Sequence, residues 1–197
     1  MYIQGRFLLL KLLAMQLCVL QKPASATYPD IREFMLNPPR TWTYNATLNF
    51  SYSCKVDVAI NKSGRDIYFN RSTIEKTGII MSGIRIGHTY QSYDLSGRPW
   101  NVMFITDYLT GYTRQQVKFF IPGVCAVNKV ERYDDTFPPN YELLVKDSML
   151  DGPPRICLKR YQKFVNQTGR PSKPVYNKEC ERNLKVIRRN TSHFWMF

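Results

Sequence analysis

The chain has 197 residues, 44% hydrophobic and 14% aromatic, with a formal net charge of +13. That length suits one domain with a substantial core, and no apolar run reaches the roughly 18 uninterrupted residues expected of a membrane span. The positive balance leaves anionic partners open: nucleic acid, an anionic membrane, a glycosaminoglycan or an acidic small molecule.

The first segment reads as an address. Arg6 precedes an apolar stretch from Phe7 to Leu20, broken by Lys11 and Gln16, and Ala24-Ser25-Ala26 supplies a small-x-small cleavage pattern. A secretory signal peptide is therefore expected over 1–26, cut after Ala26, with one domain over 27–197. The cut removes Arg6, Lys11 and Lys22 and no acid, and export makes nucleic acid an unexpected partner. The remaining cations are scattered and densest at Arg182, Lys185, Arg188 and Arg189, the pattern of a solvated basic surface and tail. Cys18 leaves with the leader. Cys54, Cys125, Cys157 and Cys180 remain, which implies two bridges with three pairings open. No Cys-x-x-Cys pair is present, and no zinc, other metal or cofactor is expected. Asn45, Asn49, Asn61, Asn70, Asn166 and Asn190 each head an Asn-x-Ser/Thr glycosylation sequon.

Asp30 stands as a cap before Ile31-Arg32-Glu33-Phe34-Met35, with Glu33 three residues on as in a capping box, and Asn37-Pro38-Pro39 ends that short helix. Strand patterning follows. Cys54, Val56, Val58 and Ile60 alternate with Lys55 and Asp57. Trp100, Val102, Phe104 and Thr106 form a second alternating series, and Val117, Phe119 and Ile121 a third. Turn-formers separate them at Lys62-Ser63-Gly64, Ser96-Gly97-Arg98-Pro99, Thr110-Gly111 and Phe137-Pro138-Pro139-Asn140. After Pro153-Pro154, Cys157, Tyr161 and Phe164 recur at helical spacing to about Val165, opposite Lys159, Arg160 and Lys163, as in an amphipathic helix lying on a sheet. Residues 169–174 read as an irregular linker, and Cys180 ties back the tail. The fold class is mainly β: a lipocalin-type eight-stranded antiparallel barrel with a short N-terminal helix and a late helix packed on it, large enough inside for one small ligand.

Four stretches then resemble the tick salivary lipocalins, the family that includes histamine-binding proteins. They are Trp42-Thr43-Tyr44-Asn45 with Tyr52-Ser53-Cys54-Lys55-Val56-Asp57-Val58; Val124-Cys125-Ala126-Val127; Tyr141-Glu142-Leu143-Leu144-Val145-Lys146-Asp147; and Cys157-Leu158-Lys159-Arg160-Tyr161. The resemblance covers nearly the whole mature chain and rests on the order and spacing of the stretches. It implies the nested bridges Cys54–Cys180 and Cys125–Cys157. It also implies a monomeric binder, not an enzyme, that sequesters a small-molecule host mediator such as a biogenic amine or an eicosanoid-type lipid, to evade host defence. Some members bind complement, so a host plasma protein engaged through the loops is the alternative partner.

Amine-binding members resemble one another in an Asp after the second mature cysteine and an aromatic after Glu-Leu. Here Ala126 and Leu144 stand at those positions and Glu142 remains. A protonated amine entering a low-dielectric interior needs a carboxylate, so these departures argue against histamine or serotonin. The basic balance favours an anionic lipid, with Arg71, Arg85 and Arg114 as candidate inward cations. Trp42, Tyr44, Phe104, Tyr108, Tyr112, Phe119, Glu142 and Leu144 are the candidate ligand-lining residues, with core packing the competing role for Trp42 and an internal ion pair for Glu142. Catalysis is not expected: His88 and His193 stand in no nucleophile or metal pattern, and Asp134-Asp135 lies in a polar turn region.

Overall fold

The computed structural model describes residues 30–47, 52–91, 100–107, 111–132 and 139–191. Residues 1–29, which include the expected leader, lie outside that set, with Asn49, Tyr108, Asp134-Asp135, His193 and Trp195, as do the side chains of Lys185, Arg188, Arg189 and Asn190.

Asp30 caps α1 (Ile31–Leu36). Its carboxylate accepts a hydrogen bond from the Arg32 backbone N–H at 2.8 Å and pairs with the Arg32 guanidinium. Six residues are too few to hold a helix alone, so its stability comes from the buried face of Ile31, Phe34 and Met35.

Eight antiparallel strands follow: β1 (Arg40–Ala46), β2 (Tyr52–Ser63), β3 (Asp66–Glu75), β4 (Ile80–Tyr90), β5 (Val102–Asp107), β6 (Gly111–Ile121), β7 (Cys125–Arg132) and β8 (Asn140–Lys146). Each of β2 to β8 pairs with the next, β8 pairs with β1, and β1 pairs with β2, closing the ring. Closure removes the open edges that would otherwise template association. The β2–β3 hairpin turns at Gly64-Arg65, where Gly64 has φ +56.

A 3-10 turn (Asp147–Met149) leads to α2 (Arg155–Thr168), which buries Cys157, Tyr161 and Val165 at spacing four. It runs past Val165 to Thr168 because no breaker intervenes before Gly169, whose φ of 65 ends it in the left-handed region. The stretch read as an irregular linker contributes β9 (Lys173–Pro174), paired to β1. Beyond it the tail is helical, α3 (Lys178–Thr191). The Asn177 side chain accepts from the backbone N–H groups of Glu179 and Cys180, and Glu179 and Glu181 stand in the first turn, where the helix dipole favours acids.

Two apolar clusters define the two faces of the wall. One joins Ile31, Phe34 and Met35 of α1 to Ala59, Ile67, Phe69, Met103, Ile105, Val117, Phe120, Ala126 and Leu144. Strands from all round the ring contribute to it, so this is the lumen, stoppered at one end by α1. The other joins Trp42, Cys54, Val56, Cys125, Val127, Tyr141, Leu143 and Val145 to Cys157, Tyr161, Val165 and Leu184 of the two late helices. It lies on the outer wall. Disulfides Cys125–Cys157 and Cys54–Cys180, with Cα separations of 6.3 and 5.7 Å, fasten α2 and α3 to that wall.

Candidate functional site: the barrel lumen

Next to the α1 stopper the lumen is apolar, walled by Phe34, Phe69, Met103, Ile105 and Leu144. Above this floor lies a charged layer. On β2, Cys54 and Val56 belong to the outer cluster, so Lys55 and Asp57 point inward. The register places Asp57 opposite Arg71 on β3, and the carboxylate accepts from Nε and Nη2 of that guanidinium, each at 2.8 Å. The Lys55 ammonium reaches past β1 to Glu142 on β8, with Nζ 2.8 and 2.9 Å from the two carboxylate oxygens. Both members of that pair are buried. Arg85 takes the inward-facing register position opposite Phe69, and its charge acts on Asp57.

The electrostatics follow from burial. Burial would raise the Asp57 carboxyl, but the attraction and hydrogen bonds of Arg71 outweigh it and hold the group below its ordinary value. Burial, then the nearby Glu142 carboxylate, pushes the Tyr52 phenol well up, so it stays a neutral hydroxyl. At the floor, burial lowers Lys146 to about 7, although Asp147 and Asp57 act against this. Its Nζ donates to the Pro38 carbonyl and the Thr41 hydroxyl and lies 4.3 Å from the centre of the Phe34 ring. Level with Glu142, its cross-strand partner, Asn128 donates from Nδ2 to Gln115 Oε1 at 3.3 Å. The other end of that amide, Asn128 Oδ1, is a buried acceptor with no hydrogen-bond partner among the described residues.

The lumen holds two of the anticipated lining residues, Glu142 and Leu144. Ala126 and Leu144 are direct cross-strand partners there, so the two positions that depart from the amine-binding pattern meet on one patch of wall. Most of the aromatic candidates sit on the other face. Trp42 packs on the outer wall edge-on to Tyr176 at 5.4 Å, and Tyr44 stacks on the same ring at 5.7 Å. Phe119 lies beneath α2, with the Arg160 guanidinium 5.4 Å above it. Phe104 alternates with the lumenal Met103 and Ile105 and therefore faces out, edge-on to Tyr90. Tyr112 follows the outward phase of Arg114 and is 58% exposed. The physical reason is common to all five. Period-two patterning marks a face as apolar without saying which face is inside, and for Trp42, Tyr44 and Phe119 the outer wall has an apolar cover of its own. Bulges at Thr43/Asn45 and Val117/Phe119 shift the phase further. Of the arginines, Arg71 and Arg85 take inward positions, while Arg114 is outside and paired with Glu131 at 2.6 Å.

Lys55, Asp57, Gln115 and Asn128 were not anticipated. One signal was available for the first two: a cysteine bridged to the tail must face outward, which turns its strand neighbours inward. His88 lies on the outer wall against Asp66 at 2.7 Å, away from the lumenal groups. Among the described residues no group of three or more His, Cys, Asp or Glu side chains is placed to hold a metal.

No family model matches this sequence. No curated protein matches it either. Solved structures do. Apocrustacyanin C2 aligns with a TM-score of 0.52 and 11% identity over 83% of this chain and 98% of that one. The siderocalin Ex-FABP, described as functioning through dual ligand specificities, aligns at 0.50 and 6% over 66% and 85%. Japanin from Rhipicephalus appendiculatus, solved with cholesterol, aligns at 0.49 and 8% over 72% and 94%. The first two likenesses, taken with the closed eight-stranded ring, define a lipocalin fold. At such identities they define the fold alone.

Proposed function

We propose that this chain is a secreted salivary lipocalin that sequesters a small host inflammatory mediator, and that the guest is an eicosanoid-type lipid carboxylate. The carrying observation is the charge layer. Each of its acids already holds an internal cation, Glu142 with Lys55 and Asp57 with Arg71, while Arg85 adds a third positive charge beside them. The Lys55 ammonium occupies the place on Glu142 that an amine guest would need. An anionic head suits the cations of this layer, and an apolar tail suits the floor of Phe69, Met103, Ile105 and Leu144. A guest hydroxyl would satisfy Asn128 Oδ1. Two disulfides support export, since such bridges persist in oxidising compartments, and no described helix is long and apolar enough to cross a membrane.

Calorimetry on delipidated protein tests this reading. A hydroxylated fatty-acid carboxylate such as a leukotriene should bind, its methyl ester should bind more weakly, and Arg85→Met should reduce affinity about tenfold, the loss of one charge-assisted hydrogen bond. Nanomolar histamine binding, or equal affinity for acid and ester, would overturn it.

A further inference from the structure

The outer wall of β3 and β4 is unlike the rest of the outside. Gly87 faces the lumen, since a Cβ there would collide with Met103 Sδ and approach Phe69. The alternation then sends Ile80, Ser82, Ile84, Ile86, His88 and Tyr90 outward, where among the described residues no helix side chain joins Ile84 or Ile86 in a buried cluster. Ile84 is 58% exposed, Ile80 40% and Ile86 38%. Tyr68 pairs with Ile86 on the adjacent strand, and on β5 Phe104 stands opposite His88, edge-on to Tyr90. The patch of Tyr68, Ile84 and Ile86, bounded by Ser82 and His88, is an exposed apolar surface that invites association unless something covers it.

Within this row stands a sequon. Arg71 points inward to Asp57, so Asn70 and Ser72 of Asn70-Arg71-Ser72 both face outward. The register sets Asn70 directly opposite Ile84, and Tyr68 lies two residues earlier on the same face. Asn70 Oδ1 accepts from the Ser82 hydroxyl at 3.2 Å. Glycosylation uses Nδ2 and leaves that bond intact. We infer that Asn70 carries an N-linked glycan whose first sugars lie over Tyr68, Ile84 and Ile86, so that this carbohydrate covers β3–β4 as α2 covers β7–β8. The apolar C–H face of an N-acetylglucosamine meets the ring and the isoleucines, and its hydroxyls replace them at the water interface.

Of the other described sequons none stands opposite Ile84. Asn166 is exposed on the basic face of α2, where it accepts from Gln162. Asn61 stands exposed near the end of β2 opposite Tyr68, one strand further from Ile84 and Ile86 than Asn70 is. Asn45 Nδ2, the atom a glycan would take, donates to Ser172 beneath the tail.

The inference rests on the export reading, and the test separates the two. The full chain with its leader is expressed in insect cells and purified from the medium. Glycopeptide mass mapping should find Asn70 occupied. Asn70→Gln should then take up several-fold more of the apolar dye ANS and sediment partly as dimer or larger. Adding Ile84→Ser and Ile86→Thr to that variant should restore the monomer. Asn166→Gln should change neither readout. Exported protein with Asn166 decorated and Asn70 bare overturns the inference alone, as does an Asn70→Gln protein that stays monomeric with unchanged dye uptake. Protein retained in the cytosol with every sequon bare removes the export reading and this inference with it.

Discussion

Strands β8 and β4 are both apolar in sequence and belong to the same ring, yet they live in different surroundings. Every residue of β8 (Asn140–Lys146) is buried: Glu142, Leu144 and Lys146 on the lumenal side, Tyr141, Leu143 and Val145 under α2 and α3. On β4 (Ile80–Tyr90) Gly87 and Thr89 are buried toward the lumen, and the isoleucines of the opposite face stand in the open. The difference teaches that an apolar residue on a barrel strand has three possible fates: lumen floor, helix-covered wall or bare wall. Hydropathy alone does not separate them. What does is a second element brought to the wall, which here is fastened by the Cys125–Cys157 bridge.

Substitutions can break that comparison at both ends. The largest effect is expected on the inner side of β8. Lys55→Met leaves Glu142 buried without its partner and should cost about 3–5 kcal/mol in urea unfolding, whereas Lys55→Met with Glu142→Leu should recover most or all of it. Equal losses in the single and double variants would mean that the pair does not share the lumen. Next comes Lys146, whose ammonium is held at about 7 against 10.5 for the free side chain. Between those values the unfolded chain binds more protons, so stability should rise with pH by roughly 2–4 kcal/mol across the window and be lowest below it. Lys146→Met should flatten the slope, and an unchanged profile in that variant would assign the slope elsewhere. On β4 the sensitive point is Gly87. Gly87→Ala drives a methyl into Met103 and should cost about 1–3 kcal/mol by thermal unfolding. The sharpest contrast pairs Leu143→Ala with Ile84→Ala. The first opens a hole beneath α2 and should cost about 2–5 kcal/mol, while the second removes an exposed side chain and should stay within about 0.5. Comparable losses would show that β4 has a protein cover after all.

Much of the architecture was legible. The short capped helix, the alternating strands and the amphipathic α2 follow from Asp30, from the series starting at Cys54, and from Cys157-Tyr161 spacing. The tail helix was hidden because Lys178–Thr191 is strongly polar, and among its described side chains the buried apolar ones are Cys180 and Leu184, a thin stripe. The site was harder to read. Glu142 and Leu144 were found through a resemblance, not through alternation. The aromatics were misplaced because Trp42, Tyr44 and Phe119 serve an outer core that resembles an inner one in sequence. Lys55 and Asp57 looked like solvent-facing residues, since a strand pattern cannot say that a charge points inward to meet a partner far along the chain.

The outward setting of Trp42 has a practical consequence. Its indole watches Tyr176 and the docking of the tail, and Trp100, stacked under Arg32 at 4.7 Å, watches the α1 stopper. Intrinsic fluorescence of these two indoles will therefore report whether the lid and tail are seated and stay dim to whatever enters the hold. An optical sensor of cargo has to be built in, and Leu144→Trp, on the lumenal face beside Ala126, is the place to build it.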